Sequence, residues 1–150
     1  MAVLLVLDNP VFRNFLGYAA LVLVKTVAMS SMTTVFRITR KVFATPEDAA
    51  VFGIKFSPTS SDPMVDRVKK AHLNDLENVV PFALLGLLYV TTGPSLDTAN
   101  LYFRIFTASR FIHTFAYLFA IPQPTRALAF YAGFGVNIAF AFNILRQASF

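Results

Sequence analysis

Four long apolar segments dominate this sequence, at about 11–35, 73–89, 96–119 and 127–145. Each has about 17–25 residues, which at about 1.5 Å per helical residue is enough to cross a hydrocarbon core about 30 Å thick. A soluble bundle would show a polar stripe along each helix, whereas FALLGLLYV and AFYAGFGVNIAFAF show none. The sequence therefore predicts an all-α integral membrane protein that forms a bundle of four transmembrane helices.

The composition excludes several other classes of protein. Hydrophobic residues make up 56% of the 150 residues and charged residues only 14%, which argues against both disorder and an ordinary soluble domain. The net charge of +5 does not indicate a nucleic-acid partner, because the basic residues lie between apolar segments. Without any Cys, the chain has no disulfide and no thiolate metal site, so thiol chemistry would need a sulfur carried by a ligand. Two histidines on different helices make a weak case for a metal, and we expect none.

Capping signals set the expected ends of the helices. Asn9 and Asp62 each precede a proline, and Ser95 and Thr125 each follow a proline-containing break, so all four are candidate N-caps. The motif TPEDAA, which begins at Thr45, is typical of the start of a short helix in the first loop. We expect a single domain, 1–150, with helices at about 10–35, 63–91, 96–119 and 125–147 and a cytosolic loop at about 37–62.

Basic residues are distributed unequally between the loops. The stretch 37–70 contains seven of them, whereas the connection 91–95 contains none. Cytosolic loops of membrane proteins carry an excess of Lys and Arg. The asymmetry therefore predicts that the first loop and the turn before Arg126 face the cytosol, and that both termini face the lumen.

Two sets of polar residues occur within the second and third predicted helices. They are Arg67, Lys70, Asn74 and Glu77, and Arg110, His113 and Tyr117. Each set falls within about 80° on its helix, in the cytosolic half of the membrane. Ionisable groups at this depth are costly and mark functional sites, so we expect one polar site there. The alternative is a structural ion pair between Glu77 and Arg110.

Arg126 lies in the first turn of the last predicted helix, where the helix dipole is already positive. A cation there is unfavourable for the helix, but backbone N–H groups and a guanidinium together make a strong anion site. The alternative is an interfacial arginine that meets a lipid phosphate. For the two remaining charged residues at membrane depth, we expect Lys25 to form a buried interhelical hydrogen bond and Arg104 to extend toward the interface.

Three blocks of the sequence resemble a known membrane family. They are RKVFATPEDAAVFG from Arg40, DRVKKAHLNDLENVVPFALLGLLYVTTGP from Asp66, and SRFIHTFAYLFAIPQPTRALAF from Ser109. The family is MAPEG, the membrane-associated proteins in eicosanoid and glutathione metabolism. The nearest branch is the type 1 microsomal glutathione transferases, with the microsomal prostaglandin E synthases as a sister group. The resemblance implies a homotrimer in the endoplasmic reticulum membrane, or the mitochondrial outer membrane, with one cytosolic-side site between neighbouring protomers.

The resemblance also implies the ligand and the residues of the site. Glutathione, as substrate or cofactor, would bind Arg37, Lys69, Lys70, His72, Asn74, Glu77, His113, Tyr117 and Arg126. Arg126 and the loop carboxylate Asp48 are implied as catalytic, and Arg37 is expected to serve the neighbouring protomer's site. The implied reaction joins glutathione to an apolar electrophile delivered from the bilayer, with glutathione peroxidase activity as a further expectation.

A few positions depart from the family pattern. Lys69 and Lys70 replace the usual arginine pair, and lysine cannot make a bidentate fork to a carboxylate, so glutathione binding is expected to be weaker. Ala127 and Phe130 replace a serine and a tyrosine of the prostaglandin E synthases, which favours a transferase over a glutathione-dependent isomerase. A second alternative, a non-enzymatic lipid-binding scaffold, does not explain why the polar site residues occur together.

Overall fold

The structure, a computed structural model, describes residues 4–57 and 61–148. Its elements are α1 (Pro10–Arg40), α2 (Pro46–Val51), α3 (Pro63–Val90), α4 (Leu96–Leu118) and α5 (Thr125–Leu145). Every regular element in these two ranges is a helix, so the predicted all-α class is confirmed. Residues 58–60 of the predicted loop lie outside the described residues.

Three helices of the described chain, α1, α3 and α5, are long and apolar enough to cross a membrane. The sequence predicted four spans, and α4 does not meet the same standard. It has 23 residues, enough for the thickness of a membrane, but it carries Asp97, Arg104 and Arg110. These side chains reduce its hydropathy, although Arg110 is fully buried inside the bundle.

Short polar side chains begin three of the long helices, as expected. Asn9 accepts a hydrogen bond from the Val11 N–H of α1, and Asp62 accepts two from the first turn of α3. Ser95 caps α4 by accepting from the Thr98 N–H. These three predicted N-caps are confirmed, because each one satisfies a backbone donor that has no partner within its helix.

The predicted cap at Thr125 is wrong. Pro124 occupies the N-cap position of α5, and no side chain caps the helix from that position. Gln123 supplies the missing acceptor instead, since its Oε1 accepts from the Ala127 N–H at 3.2 Å. Thr125 is thus the first helical residue, and Arg126 lies in the first turn as expected.

Helix α1 continues about one and a half turns beyond its expected end near residue 35. It ends where Lys41 adopts a left-handed conformation (φ 57°) and its N–H meets the carbonyls of Arg37 and Ile38. Arg37 and Arg40 lie in the last turn, where cations complement the helix dipole. Arg37 is therefore held on a helix and not in the loop. The short loop helix predicted at TPEDAA is confirmed as α2.

An aromatic core fills the half of the bundle that contains the α3–α4 connection. Phe82 lies at its centre and stacks on Phe106, with the ring centroids 3.9 Å apart. Phe15, Phe103 and Phe140 surround it at centroid distances of 5.8–6.3 Å. All four long helices contribute to this core. A smaller apolar cluster around Met29, Val68 and Ala71 lies in the opposite half of the bundle, which also contains the polar side chains described below.

Candidate functional site

A buried ion pair joins α1 to α3. Lys25 Nζ lies 2.6 Å from Asp75 Oδ1, and the two side chains are 9% and 0% exposed. Lys25 also donates to the backbone carbonyl of Arg110 at 3.1 Å, which brings α4 into the same contact. The expected interhelical hydrogen bond of Lys25 is confirmed, and its partner, which the sequence did not identify, is Asp75.

Arg110 connects three helices from a fully buried position on α4. Its Nη1 donates to Asn74 Oδ1 at 3.0 Å, and its Nη2 donates to the Ala129 carbonyl at 2.9 Å. It therefore fixes a predicted site residue of α3 relative to the second turn of α5. The alternative ion pair with Glu77 is not formed within the described chain.

Glu77 is exposed on α3, and no described residue hydrogen-bonds or ion-pairs with its side chain. Its neighbours on that surface, among them Leu73, Val80 and Leu84, are exposed and apolar. Pro81 lies four residues later inside the helix and has no N–H, so the Glu77 carbonyl lacks its usual helical donor. Glu77 thus presents two kinds of acceptor on an apolar surface, and its carboxylate has no ion-pair partner among the described residues.

Another group of polar side chains lies at the junction of α4 and α5. It contains Arg126, Tyr117 and His113. The Arg126 guanidinium lies 4.9 Å from the centroid of the Tyr117 ring, in cation–π geometry. The His113 and Tyr117 rings are 5.1 Å apart. Arg126 Nε and His113 Nδ1 are buried and have no hydrogen-bond partner. Native proteins rarely leave buried polar atoms unsatisfied, so these two atoms are candidates for ligand contacts.

A cavity of about 550 Å³ opens between α1 and α3. Its lining is Ser30, Thr33, Thr34, Arg37, Asp66, Lys69, Lys70, His72, Leu73 and Leu76. One arginine and two lysines therefore line the cavity together with a single carboxylate, which suits an anionic ligand. The volume is typical of small-molecule sites, and four of the predicted glutathione residues line it.

Asp48 lies on α2, apart from the cavity residues and from the Arg126, Tyr117 and His113 group. Its side chain is exposed, and its backbone N–H donates to the Thr45 hydroxyl at 3.3 Å. The preceding residue, Glu47, has a pKa below its ordinary value, because its own backbone N–H and the Thr45 hydroxyl stabilise the carboxylate. Within residues 4–57 and 61–148, no ion pair connects Asp48 to Arg126. A single chain therefore does not assemble the expected catalytic pair.

Seven of the predicted site residues fall into two groups within one chain, and Glu77 and Asp48 belong to neither group. One group lines the α1–α3 cavity and contains Arg37, Lys69, Lys70 and His72. The other contains His113, Tyr117 and Arg126. Asn74 is connected through Arg110 to the backbone of α5, the helix that carries Arg126. Sequence reasoning missed Pro81 and the Lys25–Asp75 pairing. The signal for Pro81 was its position four residues after Glu77.

Comparison with known proteins identifies the family. The model of the MAPEG family matches residues 15–146. Microsomal glutathione S-transferase 1 of Mus musculus is 51% identical over 146 residues, covering 94% of this chain and 93% of that protein. The Homo sapiens protein of the same name is 47% identical over 145 residues, covering 95% and 94%. Prostaglandin E synthase of Bos taurus is 37% identical over 124 residues, covering 83% and 80%. On the family model and these relatives, the chain belongs to the MAPEG family.

Proposed function

We propose that this protein is a membrane-bound glutathione transferase that joins the thiolate of glutathione to apolar electrophiles. The observation that carries the proposal is the state of Arg126. It lies in the first turn of α5 against the Tyr117 ring, with a buried Nε that no described group satisfies. A cation at a positive helix end is explained if an anion binds there. The near full-length similarity to proteins named glutathione S-transferase supports the same function.

Glutathione fits the charges of the site. Its two carboxylates suit the cations Lys69 and Lys70 that line the α1–α3 cavity, together with an Arg37 from a neighbouring protomer. Its ammonium group suits Glu77, whose carboxylate is exposed and unpaired in the chain as described. Lys70 and Glu77 are seven residues apart, about 10 Å along the helix axis, which is the scale of an extended tripeptide.

Arg126 would stabilise the sulfur as a thiolate, which is the reactive form of a thiol. The thiol proton passes to solvent, and the thiolate forms a carbon–sulfur bond with the electrophile as the leaving group departs. Arg110 bonds both Asn74 on α3 and the backbone of α5. The proposed contact of Asn74 with glutathione and the proposed contact of Arg126 with the sulfur would therefore stay a constant distance apart. The rate enhancement would come from positioning and from the guanidinium charge.

The division of the site into two groups favours an assembly. Arg37 lies on the α1 side of the cavity, whereas Arg126 lies at the junction of α4 and α5. The exposed apolar surface of α3 around Glu77 suits packing against another copy. We therefore propose a homotrimer with sites between protomers, in which Arg37 and Asp48 complete a neighbour's site. In that assembly α4 is the fourth span, and the membrane is that of the endoplasmic reticulum or the mitochondrial outer membrane.

Glutathione conjugation by the purified protein in detergent tests the proposal. Chlorodinitrobenzene is a suitable electrophile, because its product absorbs light and needs no further enzyme. We expect turnover that depends on both substrates, together with reduction of a lipid hydroperoxide by glutathione. Bound glutathione without turnover of either substrate would contradict the transferase, and the absence of binding would leave the lipid-binding scaffold.

Prostaglandin E synthesis is the alternative activity, and product analysis separates it from transfer. Ala127 and Phe130 lack the hydroxyl groups that the synthase pattern has at these positions. The Phe130 ring instead stacks on Phe134, with the centroids 5.8 Å apart. We expect incubation with a prostaglandin endoperoxide and glutathione to give little prostaglandin E above the uncatalysed level. Rapid formation of that product would favour the isomerase.

A further inference from the structure

Helices α1 and α4 run parallel and in step at the ends where they begin. Asn14 Nδ2 donates to Asn100 Oδ1 at 2.9 Å, and Arg104 Nε donates to the Tyr18 hydroxyl at 3.4 Å. Both contacts join residues that are 86 positions apart. The first turns of the two helices therefore face the same side of the membrane, opposite the end that contains Arg126.

A groove of about 260 Å³ follows the first three turns of α1 on this side. It is lined by Arg13, Asn14, Gly17, Tyr18 and Leu21. Polar side chains line its outer end, and Gly17 and Leu21 continue it toward the centre of the membrane. A β-carbon on Gly17 would meet nothing within 4 Å, so the middle of the groove is open.

Two exposed guanidinium groups lie at or next to this groove, and neither has a counter-ion among the described residues. Arg13 lines it directly, and Arg104 contacts the lining through its hydrogen bond to the Tyr18 hydroxyl. Arg104 lies eight residues after the start of α4, about 12 Å along the helix axis. A guanidinium at such depth is costly unless it extends to the interface or an anion accompanies it.

We propose that the groove binds the phosphodiester headgroup of a membrane phospholipid. Arg13 and Arg104 donate to the phosphate oxygens, as guanidinium groups commonly do. The Tyr18 hydroxyl and the Asn14 amide orient the headgroup, and Gly17 and Leu21 contact the glycerol and the first carbons of an acyl chain. The bilayer is the source, because the groove opens on a membrane-spanning helix and passes from polar to apolar in the order of a glycerophospholipid.

Native mass spectrometry of the delipidated protein in detergent tests this site. The probe is short-chain phosphatidylglycerol, compared with the matching diacylglycerol, which lacks the phosphate, and with inorganic phosphate, which lacks the chains. We expect phosphatidylglycerol to bind at least about tenfold more tightly than either, since charge-assisted hydrogen bonds and apolar contacts both contribute. Inorganic phosphate that binds equally well would overturn the proposal.

Substitutions in the groove test whether phosphatidylglycerol binds there. The double variant Arg13→Gln/Arg104→Gln should lose at least about tenfold in affinity, and Gly17→Leu should block the groove while the charges remain. Arg146→Gln is the matched control, because Arg146 is exposed just after α5 and lines none of this groove. Tyr18→Phe, which keeps the ring and removes only the hydroxyl, gives a second measure and should weaken binding several-fold.

Helical circular dichroism and glutathione conjugation should be unchanged in all these variants, because none of the positions belongs to the proposed glutathione site. Phosphatidylglycerol binding equal to that of the unmodified protein in both the double variant and Gly17→Leu would refute the site. Loss of oligomeric state in the same variants would also refute it, because a second copy of the chain would then cover the groove.

Discussion

Gly133 leaves the space that the Arg110 guanidinium occupies. A β-carbon at position 133 would lie 2.9 Å from Nη2 and 3.0 Å from Nε of Arg110. Backbone of α5 and side chain of α4 therefore approach one another more closely than any other residue at 133 would permit. The same guanidinium donates to the Ala129 carbonyl and to Asn74.

Replacing Gly133 with a larger residue should lower the stability of the folded protein, because the new side chain would overlap neighbouring atoms. Gly133→Ala is expected to lower the free energy of unfolding by about 1–3 kcal/mol, because both Ser109 Oγ, which would lie 2.7 Å from the new β-carbon, and the Arg110 guanidinium must move. Gly135→Ala is the matched control, since a β-carbon there meets nothing within 4 Å. It should leave stability unchanged or raise it by about 0.5–1 kcal/mol. Thermal unfolding in detergent measures both, and equal effects would contradict the interpretation.

The Lys25–Asp75 pair should show strong coupling between its members. Asp75→Leu leaves a buried, unpaired Lys25 and should cost about 3–5 kcal/mol of unfolding free energy. The double variant Lys25→Met/Asp75→Leu removes both charges and should recover most of that loss. A double-mutant cycle by chemical unfolding in mixed micelles gives the coupling energy. Additive losses would show that the pair contributes little.

Glu77→Gln should weaken glutathione binding by about 1.5–3 kcal/mol, which is roughly 10-fold to 150-fold in Kd. The reason is the loss of a charge-assisted hydrogen bond to the ammonium group of glutathione. Glu47→Gln, which changes an exposed carboxylate on α2, is the control and should bind as the unmodified protein does. Calorimetric titration with glutathione measures the affinity. An unchanged Kd in folded Glu77→Gln would remove Glu77 from the site.

Arg126→Gln should keep glutathione bound but lower the conjugation rate by about 10-fold to 1,000-fold at neutral pH. The guanidinium favours the thiolate, so its loss raises the thiol pKa and leaves less thiolate. The rate should therefore recover as pH rises and the thiolate forms without help. Ultraviolet absorbance of the bound thiolate and the pH–rate profile test this, with Arg146→Gln as the control. An unchanged absorbance at neutral pH would make Arg126 a structural residue.

Both termini should face the lumen, with 37–62 and the turn before Arg126 in the cytosol. The reason is the excess of basic residues in 37–70 over the connection 91–95. Protease treatment of sealed microsomes tests this with a tag at the C-terminus or in the loop. The loop tag should be cleaved and the C-terminal tag protected. A C-terminal tag cleaved from outside would reverse the orientation.

Local signals in the sequence predicted where three of the four long helices begin. They did not predict the cap of α5 or the end of α1. Asn9, Asp62 and Ser95 each cap the helix that follows them, because a cap depends on only three or four neighbouring residues. The predicted cap at Thr125 is wrong, because Pro124 occupies the cap position and Gln123 supplies the acceptor. The sequence predicts the end of α1 too early, because the fall in hydropathy after residue 35 does not end the helix, which continues to Arg40.

The partners of buried charges could not be read from the sequence. The helical repeat separates Asp75 from Glu77 by about 200°, so the two cannot share a partner. It does not say that Asp75 meets Lys25, fifty positions earlier, or that Arg110 bonds Asn74 and not Glu77. Those choices depend on how α1, α3 and α4 pack, and they determine which groups of the site stay free.

The Lys25–Asp75 ion pair also constrains how the chain enters a membrane during synthesis. Each residue alone would carry a full charge into hydrocarbon, whereas together they enter as a neutral unit. Because Lys25 leaves the ribosome fifty residues before Asp75 does, it has no Asp75 partner until α3 has been synthesised. The two helices are therefore expected to leave the insertion channel side by side, as a hairpin closed by this pair, before α4 and α5 are added.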